Sequence, residues 1–368
     1  MKFSLFYEIP VARPWDAKSE YRAYHNTLEQ AVFADKLGWH GFWTVEHHFL
    51  EEFSHCSNPE VLYGAVAART ENLRIGYGVR LLPKPYNHPV RSAESAAVLD
   101  IISNGRVEFG TGRSASRAEI EGFGIEPTDT REMWREALRH IIGCWTNDEY
   151  EFEGKHWSMP KRRVLPKPIQ LPHPPIHAAT GSPAMHREVG EMGIGLLSFA
   201  VGTPPEEIKK KIDLYREGIA VCKEPYGAYL HNHATIFAMV NCMKTKEASY
   251  AASRESFEWY GKYGAEIIAS LPRWLEAERK GFGDYDWLGE IKDLVAQDLH
   301  KQLTFEYLNE THGCIVGDPD EVVEHLRHYQ ATGADHLLCL VNPYKVSHEA
   351  VMETIELMGK YVIPEFDK

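Results

Sequence analysis

The feature that most constrains this chain is an alternation of short apolar runs with longer amphipathic ones, sustained along nearly its whole length. Apolar runs of strand length fall at residues 2–8, 41–45, 73–79, 107–110, 176–180, 194–199, 235–240 and 336–341. Between them lie stretches of helical period, as at 21–37, where Leu28, Val32, Phe33 and Leu37 recur on one face. Punctuation agrees: Asn58-Pro59 opens one helix, and Pro319 sits in the first turn of another. Eight strand-then-helix units read most simply as one α/β domain over residues 1–368, a (β/α)8 TIM barrel with insertions. Periodicity alone also accommodates a doubly wound sheet. Two segments depart from the rhythm. Residues 150–175, dense in proline, predict a hairpin and an extended connector. Residues 245–308 predict a helical insertion rich in Trp and Tyr, including Gly281-Phe282-Gly283; a lid over the barrel mouth and a static cover or dimer contact are equally compatible with it.

Composition narrows the partners. The formal net charge of −13 argues against nucleic acid and anionic membranes, and obliges any anionic cofactor to find local donors. No run approaches the ~20 apolar residues of a membrane helix, and the N-terminus lacks a basic region followed by an apolar core. The six cysteines form no CxxC pair or disulfide framework, so a reducing, cytoplasmic setting is expected.

In a barrel of this type the chemistry sits at the C-terminal ends of the strands. Those ends carry Glu46, His47 and His48; Gly78, Val79 and Arg80; Gly112, Arg113 and Ser114; Thr180, Gly181 and Ser182; and Ser198-Phe199. The turns at Thr111–Ser114 and Thr180–Ser182 combine glycine, hydroxyls and a guanidinium, which suits a phosphate, although ordinary βα turns use the same residues. Adjacent strand residues point to opposite sides, so only one of His47 and His48 faces a shared pocket. That one is a candidate general base, the other structural; with 19 histidines in the chain, the pair alone is a weak signal.

The ordered motifs carry a resemblance. Trp43-Thr-Val-Glu-His-His-Phe49, Ser57-Asn58-Pro59, Leu73-Arg-Ile-Gly76 with Leu82-Pro83, His88-Pro-Val-Arg91, Ser103-Asn-Gly-Arg-Val-Glu-Phe-Gly110, Gly122-Phe-Gly124, Arg163-Val-Leu-Pro166 and Val316-Gly-Asp-Pro319 follow one another as in the bacterial luciferase-like flavin-dependent monooxygenases. The chain resembles that family from Phe3 to Pro364. The resemblance implies a (β/α)8 barrel, often dimeric, that takes reduced FMN from a separate NAD(P)H-dependent reductase. With O₂ it would form a C4a-peroxyflavin and oxygenate a small apolar aldehyde, ketone or related substrate. By position, Glu46 would lie near the isoalloxazine and His47 would be the acid–base residue. Gly78 and Val79 would approach the ring through backbone. Arg113, Ser114 and Ala115 would hold the phosphate from one side, and Thr180, Gly181 and Ser182 from the other. Phe199 would line the ring pocket. Gly112 stands where bacterial luciferase has a reactive cysteine, which argues against light emission. Relatives built for the deazaflavin F420, and non-catalytic flavin-binding subunits, are the alternatives.

Two rivals fare worse. Gly110-Thr-Gly-Arg-Ser-Ala115 fits a dinucleotide fingerprint but lacks the second strand and acidic residue it needs. No metal site is expected: His231-Asn-His233 precedes the seventh strand, at the opposite end of the barrel from Glu46-His47.

Overall fold

A computed structural model describes residues 1–199, 202–281, 285 and 287–366; Phe282 and Gly283 of the glycine-flanked motif lie outside the described residues. The first half of the chain runs β1 (Lys2–Tyr7), α1 (Ser19–Ala34), β2 (Gly41–Thr44), α2 (Pro59–Ala67), β3 (Arg74–Tyr77), β4 (Arg80–Leu81), α3 (Pro89–Ile102), β5 (Val107–Gly112), α4 (Arg117–Gly122) and α5 (Thr130–Thr146). Then come β6 (Tyr150–Glu153), β7 (Ser158–Arg162), β8 (Ile176–Thr180), α6 (Pro183–Glu191), β9 (Gly195–Ser198), α7 (Pro205–Val221) and β10 (Ala234–Cys242). The last part is α8 (Lys246–Ala277), α9 (Leu288–Ala296), α10 (Phe305–Glu310), β11 (Ile315–Gly317), α11 (Pro319–Gln330), β12 (His336–Leu340) and α12 (His348–Leu357).

Parallel pairing runs β1-β2-β3-β5-β8-β9-β10-β12, and β12 returns to β1 through Lys2↔His336 and Phe6↔Leu340. The ring closes, so the molecule is a (β/α)8 barrel and not a doubly wound sheet. Staves β2, β5, β9, β10 and β12 are buried throughout, which is why they read as unbroken apolar runs rather than alternating ones. Proline opens α2, α3, α6, α7 and α11, where a missing N–H and a fixed φ are harmless. Side-chain caps set α4 (Ser116), α8 (Thr245), α11 (Asp318) and α12 (Ser347).

The structure departs from the sequence pattern in two places and agrees with it in a third. The run 73–79 is not one strand: β3 stops at Tyr77, and after the Gly78-Val79 step β4 resumes beside β5, with the Leu81 N–H taken by the Glu46 carboxylate at 3.0 Å. Residues 117–122, for which the sequence pattern predicts no element, form α4, where the Ser116 side chain accepts from Glu119 N. The hairpin β6–β7 is present as expected, antiparallel, with a register shift between Tyr150 and Phe152. Among the described residues no helix is long and apolar enough to cross a membrane.

Candidate active site

The C-terminal ends of the staves and the inner face of α8 enclose a cavity of about 530 Å³. Its walls are mainly apolar, with Phe6, Val45, Phe53, Phe199, Phe237 and Ile268 among them. Of the residues singled out by sequence, Glu46, His47, Gly78, Val79, Arg113, Ser114, Ala115, Thr180, Gly181 and Phe199 all line this one space. Ser182 does not; it sits just behind, at the N-cap of α6, where its N–H bonds Thr180 Oγ1 at 3.1 Å.

His47 is the centre of the polar wall. Its Nδ1 lies 2.9 Å from Glu119 Oε1, and its Nε2 3.7 Å from Glu8 Oε2. Both carboxylates are buried. Glu119 is fixed from several sides: the Ser114 and Ser116 hydroxyls donate to Oε2 and the His48 N–H to Oε1. Burial alone would push the His47 imidazole towards neutrality. The charge and hydrogen bond of Glu119, with Glu8 and Glu46 behind it, overcome that and raise its pKa to about 9. His47 is therefore a cation at neutral pH. Glu8 responds the other way: burial raises its pKa, against the opposing effect of His47 and of the Tyr260 hydroxyl, which donates to Oε1 at 2.9 Å.

Glu46 is tied to the segment that follows β3. Its Oε2 accepts from Leu81 N at 3.0 Å and its Oε1 from Asn87 Nδ2 at 2.9 Å, so it braces the backbone that follows Gly78-Val79. That backbone comes close to its neighbours. A Cβ on Gly112 would stand 2.6 Å from Val79 Cγ2, so only glycine leaves the step room. His48 turns away to an aromatic group, 4.9 Å from the Phe123 ring.

At the other end of the cavity Arg113 donates to Thr130 Oγ1 at 3.0 Å and lies over the Tyr285 ring at 4.3 Å. The Tyr285 hydroxyl in turn donates to the Ser114 carbonyl at 2.8 Å. Trp287 covers Gly181, where an added Cβ would meet its ring at 2.7 Å. The insertion thus reaches across both turns proposed for phosphate. Lys211 of α7 joins the lining from the β9 side.

Sequence reasoning missed Glu8, Glu119 and Lys211; Tyr260 belongs to the aromatic insertion for which a lid was one reading. Glu8 was within reach, since it directly follows β1. Ser116-x-x-Glu119 has the spacing of a capping box, and Ser116 does cap α4; but the carboxylate turns inward to His47. Nothing in spacing alone places Lys211 at the mouth.

The sequence profile of the luciferase-like monooxygenases matches residues 1–336. The chain belongs to that family. It is 27% identical, over all of its length and 96% of the relative's, to the oxygenase component of the flavin-dependent trigonelline monooxygenase of Acinetobacter baylyi. The fold matches the FMN-bound oxygenating component of the 3,6-diketocamphane monooxygenase of Pseudomonas putida, a Baeyer–Villiger enzyme. There the TM-score is 0.76 at 22% identity, over 99% of this chain and 98% of the other. It also matches an F420-dependent secondary alcohol dehydrogenase, with TM-score 0.72 at 19% identity over 98% of both chains. This luciferase-like protein is accordingly an enzyme, an oxidoreductase of a flavin-dependent monooxygenase family.

Proposed function

We propose that this enzyme binds reduced FMN in the barrel mouth and, with O₂, oxygenates a small, largely apolar aldehyde, ketone or related molecule. One observation carries the reading: His47, clamped between the buried carboxylates of Glu8 and Glu119, faces a cavity whose walls are mainly apolar. The residues fit the cofactor. Gly78, Val79 and Gly112 offer bare backbone to a flat ring, and Arg113 and Lys211 bring positive charge to a chain of net charge −13. Bound reduced FMN supplies the electrons that activate O₂. His47 donates a proton or hydrogen bond to the oxygen that accumulates charge, and Glu119 fixes its ring by holding Nδ1. Helix α8, Tyr285 and Trp287 exclude water from the cavity.

A separate reductase supplying the reduced flavin follows from the family resemblance. So does a homodimer, which the exposed apolar residues Val61, Val98, Ile101 and Ile102 on the adjoining α2 and α3 support. F420-dependent oxidation of an alcohol is the second reading. It is favoured by Glu8 Oε2, a buried carboxylate oxygen without a hydrogen-bond partner, suited to take a hydroxyl proton. Anaerobic titration with reduced FMN and, in parallel, with F420 separates the two. Tight binding of reduced FMN, followed on O₂ addition by oxygenation of a cyclic ketone or aldehyde, is the expected result. Binding of F420 alone, with alcohol oxidation, replaces it; flavin binding without any turnover leaves a non-catalytic flavin carrier.

A further inference from the structure

The opposite end of the barrel holds a polar group that the mouth does not use. Into its floor project Glu108 from β5, His177 from β8, His336 from β12, and His231 and His233 from the segment entering β10. His177 Nε2 lies 2.8 Å from Glu108 Oε2, and the His177 and His231 rings stand 4.9 Å apart, nearly perpendicular at 84°. One ligand atom each from Glu108, His177 and His231 falls within 4.8 Å of the others, the one such trio among the described residues. His231 Nε2 and His177 Nδ1 are buried and have no hydrogen-bond partner. A protein seldom leaves such nitrogens unsatisfied without a reason.

The surroundings hold these rings in place. The His231 backbone is pinned on both sides, its N–H donating to Gly193 O at 2.9 Å and its carbonyl accepting from the Tyr215 hydroxyl at 3.1 Å. Gly195 makes the room: a Cβ there would stand 2.3 Å from His177 Nδ1 and 2.9 Å from His231 Cδ2. Arg74 engages Glu108 through Oε1, while Oε2 faces the histidines. Two imidazoles and one carboxylate are a donor set suited to a borderline-soft divalent ion, and less so to calcium or magnesium, which take oxygen ligands.

We propose that Glu108, His177 and His231 bind a divalent transition metal of the zinc class at the barrel floor, tying β5 and β8 to the segment that enters β10. The site is structural and remote from the mouth, so it is independent of the flavin chemistry. Sequence spacing could not reveal it. His231-Asn-His233 finds its partners on two other staves, more than fifty residues away and unmarked by any motif.

The test uses the purified full-length chain without flavin, stripped with a chelator and titrated calorimetrically with zinc chloride. Melting is followed in parallel, and cobalt(II) serves as a spectroscopic substitute. One zinc per chain and a higher melting temperature on loading are expected. His231→Ala should weaken binding beyond the roughly 100-fold that loss of a mere supporting residue costs. His231→Cys should keep binding and give its cobalt complex a sulfur-to-metal absorption. Absence of one-to-one binding in the wild type overturns the proposal, as does unchanged affinity in His231→Ala. Should the alanine variant fail to fold, the cysteine variant decides: cobalt bound without the sulfur band also overturns it.

Discussion

At His47, burial and charge pull in opposite directions, and the outcome sets the pH behaviour of the site. Desolvation favours the neutral ring, but Glu119, Glu8 and Glu46 win and raise the pKa from its ordinary value of 6.5 to about 9. A group whose folded pKa lies above its unfolded one stabilises the fold fully below the unfolded value and loses that contribution as the pH rises through the folded value. The melting temperature should therefore fall as the pH is raised from about 6.5 to about 9. The loss should be on the order of 2 kcal/mol, since the side chain keeps some contact with solvent that screens the interaction. Glu119→Gln should flatten that slope, and a slope unchanged in the variant would assign it to another group. His47→Ala should retain flavin affinity and lose product formation; unchanged turnover would remove the residue from the chemistry. His47 and Glu46 were legible in sequence because they end a strand, and strand ends in a barrel share one rim. Their division of labour was not. It depends on Asn87 and Leu81 occupying Glu46, and on Glu119 reaching His47 from 72 residues away.

Among the elements, the alternating staves and helices read well from sequence because most staves are buried on both faces while the helices bury one. Elements whose existence depends on a tertiary neighbour read poorly. β4 exists because β5 offers it a ladder, and β11 because β10 extends past the barrel to pair Val240 with Ile315. The insertion at 245–308 resolves into α8, α9 and α10, with α8 covering the cavity through Tyr260, Gly261, Gly264, Ile267 and Ile268. Gly264 lies inside a long helix, where glycine is about 1 kcal/mol less favourable than alanine. A Cβ there would find only Phe53 Cε2, at an ordinary 3.9 Å. Gly264→Leu should hold or slightly raise the melting temperature while its side chain takes up cavity space. Turnover should drop, or KM rise, with the fold intact. If turnover and KM are unchanged, α8 is a cover that the substrate never touches.

Charge acts on the molecule as a whole. With a formal net charge of −13, the chain should repel an anionic flavin at long range, while Arg113 and Lys211, which line the cavity, would attract it only once it is inside. These effects separate by rate and by ligand. Salt screens the long-range field over about 10 Å at 0.1 M, so association of reduced FMN should speed up as ionic strength rises, whereas riboflavin, without the phosphate, should associate at a rate nearly indifferent to salt. Arg113→Ala should then weaken FMN by roughly 10- to 100-fold, the worth of one charge-assisted hydrogen bond, and riboflavin far less. Stopped-flow binding of both flavins to both proteins at two salt concentrations measures all of this. Slower FMN association at high salt would mean that the mouth itself steers anions despite the overall charge. Equal weakening of both flavins by Arg113→Ala would move that arginine from the phosphate to the ring. The two outcomes are independent, because the first reports the field of the entire surface and the second a single guanidinium held against Thr130 and Tyr285.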